Sequence, residues 1–418
     1  MSILWIVPKW PLPAHDGARH ATVSLVTNLV AQGRVIDLLA LAGHDETIDL
    51  SLAKSELGVR DVMVIRRSGG EADRLGLLTA ALLRPLTPIT MRHYCTTRMR
   101  RRLGALLRGA SEASDMRLVR PESQHRHWRT VVYDGLHPAC SSSSCGKFVR
   151  LPGIDHIVYR AHNREADIWL RKVSQSAAGV RRFLFGYQAR RVRVFENSVV
   201  AQSDALAPVS SEDLRAFGRD CRLPKTQVVP IGYDFGVAAP PPAPKPSQLM
   251  FIGRLDWPPN REGLKWFLET VWPEVVTRRA GLSLVIAGGG NSAWLSPYLS
   301  SPSIEFLGHI PSVEPLYARC VLSLVPVFYG SGTRVKVIEA SRFARACLST
   351  ALGVEGTGLE DGRGYLRAET TRQWVDQLVT FEHDDAQKIG QHAYGFLKRD
   401  FEASAAARRF GRLLDDLA

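Results

Sequence analysis

Val327-Phe328-Tyr329-Gly330-Ser331-Gly332-Thr333-Arg334-Val335-Lys336-Val337-Ile338-Glu339-Ala340 reads, in order, as the end of a strand, a glycine turn and a helix carrying a carboxylate. Gly330 and Gly332 allow a sharp bend and close backbone approach to a ligand. The free N–H groups opening the helix, at its positive end, suit a diphosphate. Ser331, Gly332, Thr333 and Arg334 are therefore candidates for binding it, with Arg334 and Lys336 adding positive charge. Glu339 lies about two turns further on, where a carboxylate can accept from both hydroxyls of a ribose. Taken alone, the stretch is equally an ordinary buried βα unit with a solvent-facing Glu.

Outward from this stretch, short apolar runs alternate with longer helix-spaced patterns, which predicts an α/β protein built of parallel βαβ units. The first half offers strands at Ile3–Val7, Val35–Leu41, Asp61–Ile65, Val131–Tyr133, His156–Tyr159, Val199–Gln202 and Gln227–Pro230. The second offers Leu249–Ile252, Leu282–Ala287, Ile304–Leu307, Val321–Val325 and Ala346–Thr350, with helices over Gly263–Thr277 and Thr333–Phe343. A proline tract, Ala238 to Pro246, continues neither helix nor sheet. The expected organisation is a first domain over 1–237, a linker over 238–247, a second domain over 248–395 and a helical end over 396–418.

The 418 residues are 45% apolar and carry a formal net charge of +13. Twelve arginines against three acids fall between Arg74 and Arg129, a field that favours anionic partners. Without interleaved aromatics or a binding motif, the segment argues against nucleic acid. An anionic membrane surface or a lipid diphosphate acceptor fits it, with Leu103, Leu106 and Leu107 sharing a helix with Arg100, Arg101, Arg102 and Arg108; so does a plain solvated helix. No apolar run reaches the roughly 18 residues of a membrane span. The six cysteines form no secreted disulfide pattern and no cleavable signal precedes Ile3, so the cytosol is expected, with association to the inner face of the plasma membrane. The segment Cys140 to Cys145, near His125 and His127, lacks zinc-site spacing. No metal is expected.

Seven features in order, Gly17, His137, His162-Asn163-Arg164-Glu165, Phe251-Ile252-Gly253-Arg254, Ile286 to Gly290, Phe306-Leu307-Gly308 and Ser331 to Glu339, resemble the retaining glycosyltransferases of family 4, also called glycosyltransferase group 1. The resemblance runs from Ile3 to about Leu417. It implies the GT-B fold: two Rossmann-like domains facing across a cleft, with the C-terminal helix crossing back to the first domain.

The implied activity is retaining transfer of a hexosyl unit from a UDP- or GDP-linked sugar to a hydroxyl acceptor, a lipid-linked or polysaccharide precursor, without cofactor or metal. By resemblance, His137, Arg254, Lys336 and Glu339 are the catalytic set. Gly17, Arg261, Gly308, His309, Ile310 and Leu316 join the Ser331 to Arg334 turn around the donor, and His162 and Glu165 lie toward the acceptor. Two positions depart from the family pattern. Asn260 stands where a second diphosphate-binding Lys is usual, leaving Arg261 or Lys336 as substitutes. Ser331 stands where the first Glu of a pair is usual, leaving backbone amides to meet the donor sugar. Those departures keep two other readings open: a sugar-nucleotide epimerase or hydrolase of the same fold, and a non-catalytic nucleotide-sugar-binding component of a glycan assembly complex.

Overall fold

The computed structural model describes residues 2–14, 17–43, 46–67, 88, 91, 94, 97–107, 128–144, 146–151, 153–174, 176–236, 247–329 and 335–418. The Ser331 to Arg334 turn, the proline tract, and most of the Arg74 to Arg129 segment lie outside the described residues, as do Cys145, His125 and His127. The chain divides into two compact units, Met1–Gly232 with Ala406–Ala418, and Tyr233–Ala405.

The first unit begins with β1 (Ser2–Val7), α1 (Gly17–Ala31), β2 (Val35–Ala40), α2 (Leu50–Leu57), β3 (Asp61–Val64) and α3 (Thr97–Leu107). It continues with β4 (Thr130–Asp134), the short α4 (Leu136–Ala139), β5 (His156–Ala161), α5 (Glu165–Ser174), α6 (Val180–Gln202), β6 (Ala205–Pro208), α7 (Ser211–Gly218) and β7 (Lys225–Thr226). Among the described residues these strands form one parallel sheet in the order β3-β2-β1-β4-β5-β6-β7. Alternation along β1 sorts its side chains to opposite faces. Leu4 and Ile6 join a core closed by Val192, Phe195 and Val199 of α6. Ile3, Trp5 and Val7 join a second core that includes Phe410, Leu413 and Leu414. Both faces of the strand are buried, which explains its unbroken apolar sequence.

Two expectations change here. Val199–Gln202 is the last turn of the 23-residue α6, not a strand. Its valines are β-branched, but Val192, Phe195 and Val199 recur at helical spacing on a buried face, and packing overrides local preference. Gln227–Pro230 follows the two-residue β7, and backbone bonds from Gln227 to Leu206 and from Val229 to Pro208 extend that pairing. In α3, Leu103 is buried and Leu106 and Leu107 pack against the same core as α6, so the leucine face of this arginine-rich helix is already covered.

The second unit contains β8 (Gln248–Ile252), α8 (Pro258–Trp266), α9 (Trp272–Arg278), β9 (Ser283–Ala287), β10 (Ile304–Gly308), α10 (Glu314–Arg319), β11 (Leu322–Val325), α11 (Val335–Arg342), β12 (Ala346–Ser349), β13 (Leu366–Arg367), α12 (Thr371–Thr380) and α13 (His383–Phe401). A last helix, α14 (Ala403–Asp415), has its final ten residues in the first unit. The helix expected over Gly263–Thr277 is two helices joined by a π segment, Phe267–Val271. Pro273 supplies no N–H to the i→i−4 ladder, and one wider turn accommodates the gap. The second sheet runs β10-β9-β8-β11-β12-β13, parallel throughout. Each unit therefore has the strand order of a Rossmann domain, and each has its switch point where the order reverses, between β1 and β4 and between β8 and β11. Ligands of such sheets bind beyond the carboxyl ends of the strands at that point.

Candidate functional site

In the second unit, β8 and β9 are each followed by a glycine at its carboxyl end, Gly253 and Gly288, and the close approach of the two turns calls for them. A Cβ on Gly288, after β9, would stand 1.9 Å from the carbonyl oxygen of Gly253, after β8. One on Gly253 would stand 2.7 Å from Cε and 2.8 Å from Nζ of Lys336. The Lys336 side chain thus lies against the Gly253 turn, in space that a Cβ there would take. Its ammonium sits 3.9 Å from the centre of the Phe251 ring and is buried without a hydrogen-bond partner among the described residues. Burial pushes its pKa down to about 7, with Glu339 opposing. A buried lysine held near neutrality is poised for an anion.

Glu339 follows on the same helix, α11, and accepts a hydrogen bond from the Tyr317 hydroxyl at 3.3 Å. Tyr317 is fully buried and stacks on Phe343, with ring centres 4.6 Å apart. Burial raises the Glu339 pKa; Arg342 and Tyr317 partly offset it. Arg254, on the turn after Gly253, is largely exposed and forks onto Asp256, with Nε to Oδ1 at 3.0 Å and Nη2 to Oδ2 at 2.6 Å. Asn260, in the place of the usual lysine, is buried and donates to the Arg254 carbonyl at 2.9 Å; it braces the turn.

Of the two suggested substitute cations, Lys336 is the one brought to the turn, while Arg261 is exposed on α8. His309 is exposed near Gly289, and Gly308 adopts a left-handed φ of 65°. Leu316 is buried in the apolar cluster that also holds Val337, and Ile310, partly buried, packs against that cluster.

In the first unit, a pocket of about 300 Å³ opens at the carboxyl ends of β1, β4 and β5, lined in part by Lys9, Tyr94, Asp134, His137, His162 and Glu165. Gly17 opens α1, one residue before pocket-lining Ala18. At its floor, Asp134 is fully buried and accepts from Arg160 at 2.7 Å and His162 Nε2 at 2.5 Å on one oxygen, and from Thr22 at 2.7 Å and Trp5 at 2.9 Å on the other. Burial alone would raise its pKa, but Arg160 and His162 outweigh that and hold the carboxylate well below its usual range. His162 is thereby fixed in orientation, leaving its Nδ1 buried and without a partner among the described residues.

His137, in α4, meets the edge of Tyr94 with ring centres 5.5 Å apart. Burial, with Arg67 and Lys9 nearby, pushes its pKa down to about 4, so it is neutral at physiological pH. Glu165 begins α5. Burial pushes its carboxyl up to about 7, and its backbone N–H donates to Glu196 at 2.9 Å. Arg164 faces away from this chemistry: its backbone N–H and guanidinium are tied to Asp213, Asp220 and the Ala216 carbonyl. The sequence reading missed Asp134 and Arg160. Both are charged residues inside apolar strands, and that was the available signal.

Residues 246–384 match the family model described as glycosyl transferases group 1. The matched residues lie within the second unit. The chain shares its architecture with solved structures of the GT-B fold. HepE of Anabaena, in a structure with UDP and glucose, superposes with a TM-score of 0.64 at 12% identity, covering 99% of each chain. Sucrose-phosphate synthase of Thermosynechococcus elongatus gives 0.65 at 14% identity, covering 100% of this chain and 99% of that one. An uncharacterized 44.6 kDa protein in the cps region of Klebsiella pneumoniae is 22% identical over 259 residues, 58% of this chain. The match spans 64% of that relative's length.

Proposed function

We propose that this chain is a retaining glycosyltransferase that moves a hexosyl unit from a nucleotide diphosphate sugar, UDP-linked in the first instance, to the hydroxyl of a glycan precursor, without a metal ion or cofactor. The observation that carries the reading is Lys336: an ammonium that is buried, has no hydrogen-bond partner among the described residues, and lies on the Gly253 turn at the switch point of the second sheet. A diphosphate suits such a site. Glu339, further along the same helix, suits the ribose. HepE was solved with UDP and glucose, which supports a uridine donor, and the cps-region relative supports a glycan-precursor acceptor.

The chemistry follows from charge. As the bond to the anomeric carbon breaks, negative charge grows on the leaving diphosphate. Lys336, and Arg254 once it exchanges Asp256 for phosphate, stabilise that charge. Neutral His137 can donate or accept a hydrogen bond at the sugar without adding charge. Glu165 and the anchored His162 serve the acceptor. The acceptor hydroxyl attacks the face the diphosphate leaves, and the diphosphate oxygen takes its proton, so the anomeric configuration is retained.

The test is a panel of UDP- and GDP-sugars with lipid-linked and soluble acceptors, in EDTA, with products resolved by mass spectrometry and their anomers by NMR. Retained glycoside from the wild type and its loss in Lys336→Met support the proposal. Free sugar or epimer formed without acceptor, an inverted product, or UDP-sugar binding with no turnover on any acceptor overturns it.

A further inference from the structure

The first unit presents a second apolar face that its core does not use. Helix α6 buries Val192, Phe195 and Val199, yet Val180, Phe183, Leu184 and Tyr187 are 76%, 72%, 55% and 44% exposed. Their spacing of three, one and three residues places them on one stripe over two turns. Leu170 of α5, 46% exposed, adds to the exposed apolar surface of this pair of helices. Such a stripe, left in water, is unfavourable and calls for an occupant.

Charge identifies it. Arg181, Arg182 and Arg190 on α6, and Arg171 and Lys172 on α5, are all exposed. Two cations lie over aromatic rings at the base of the stripe: Arg181 over Phe185 at 5.3 Å and Lys172 over Trp169 at 4.3 Å. Aliphatic and aromatic side chains rimmed by long cationic ones form the pattern of a helix lying in the headgroup region of an anionic bilayer, with apolar groups entering the acyl boundary and cations reaching phosphates. A protein interface of ordinary size needs about 20–30 residues a side, whereas four side chains on two turns are enough for shallow insertion. Among the described residues no helix is long and apolar enough to cross a membrane, so attachment through this stripe would be peripheral.

We infer that the amino-terminal half of α6, with the adjoining end of α5, is a docking surface for an anionic phospholipid bilayer. Helix α5 joins this surface to the pocket: Glu165, at its first turn, lines the pocket, and Lys172 lies about 10 Å along the helix axis at 1.5 Å per residue. An acceptor held in the bilayer would thus have a short path to Glu165. The docking itself does not depend on the sugar-transfer reading.

Co-flotation with vesicles tests it, using phosphatidylcholine alone and with 30% phosphatidylglycerol, at low and high salt. The full chain should float with the anionic vesicles at low salt, float weakly with phosphatidylcholine alone, and lose part of its binding at high salt, where exposed charges are screened. Phe183→Glu with Leu184→Glu should reduce bound protein at least tenfold, while Arg372→Glu, on the second unit's surface, should not. Because the changed residues are exposed, circular dichroism and the thermal midpoint should match the wild type. The inference fails if the wild type does not float with anionic vesicles, if the double variant floats as well as the wild type, or if light scattering shows a wild-type dimer that the double variant loses.

Discussion

Binding a diphosphate at Lys336 should draw a proton from solution. With its pKa at about 7 in the free protein, roughly 10% of the side chain is charged at pH 8. A diphosphate in contact restores the ordinary lysine pKa, since an adjacent anion favours the charged form. Binding at pH 8 therefore takes up about 0.9 proton, and at pH 6 about 0.1. The sign for affinity follows. Above pH 7 the free protein must be protonated to bind, so affinity weakens by about tenfold per pH unit, equivalent to ~1.4 kcal/mol. UDP's own terminal phosphate ionises near pH 6, below the window of interest. Calorimetric titration of UDP at pH 8 in Tris and in phosphate, whose ionisation enthalpies differ, reads the proton count directly. Lys336→Met should bind weakly with no buffer dependence. A wild-type enthalpy that is the same in both buffers at pH 8 would show that Lys336 is not the diphosphate's partner.

Three further outcomes follow from the same geometry. Arg254→Ala should lower kcat by about 10²-fold or more with a smaller effect on KM, because charge on the leaving group grows in the transition state; steady-state kinetics separate the two. Glu339→Gln should weaken UDP binding by about 1–3 kcal/mol while leaving a nucleotide without ribose hydroxyls unaffected; equal losses for both would move the ribose elsewhere. Asp134→Asn should destabilise the first unit by about 3–5 kcal/mol in urea unfolding, since it leaves buried Arg160 facing a neutral amide. The low Asp134 pKa gives stability that is present at neutral pH and lost only as pH falls toward the folded value, so the variant should flatten the acid limb of stability against pH.

The parallel strands were legible because a strand buried on both faces leaves an unbroken apolar run, as in β1, β8 and β9, and Gly253 and Gly288, after β8 and β9, mark the second sheet's carboxyl edge. Val199–Gln202 misled because valine favours strands locally while the pattern that governs it is spread over the preceding turns of α6. In the site, Glu339 and Lys336 share a helix, so their spacing could be read directly. Choosing Lys336 over Arg261 could not be done that way: it depends on the approach of Gly253 to α11 across 83 positions of sequence. Asp134 and Arg160 stood out in sequence only as charges inside apolar strands; that they pair with each other depends on the register of β4 and β5, which only the fold supplies. The departure at Asn260 was visible in sequence, but its role in bracing the Arg254 turn required the fold.

The placement of Phe410 against Trp5, with ring centres 5.1 Å apart, bears on how the chain folds during synthesis. One face of the first sheet is closed by Phe410, Leu413 and Leu414, which leave the ribosome only after all of Tyr233–Ala405. At ~5–20 residues per second, that is on the order of 10–35 s during which Ile3, Trp5 and Val7 await part of their cover. The second unit, whose sequence is continuous, can complete itself first, so the amino-terminal unit finishes folding last.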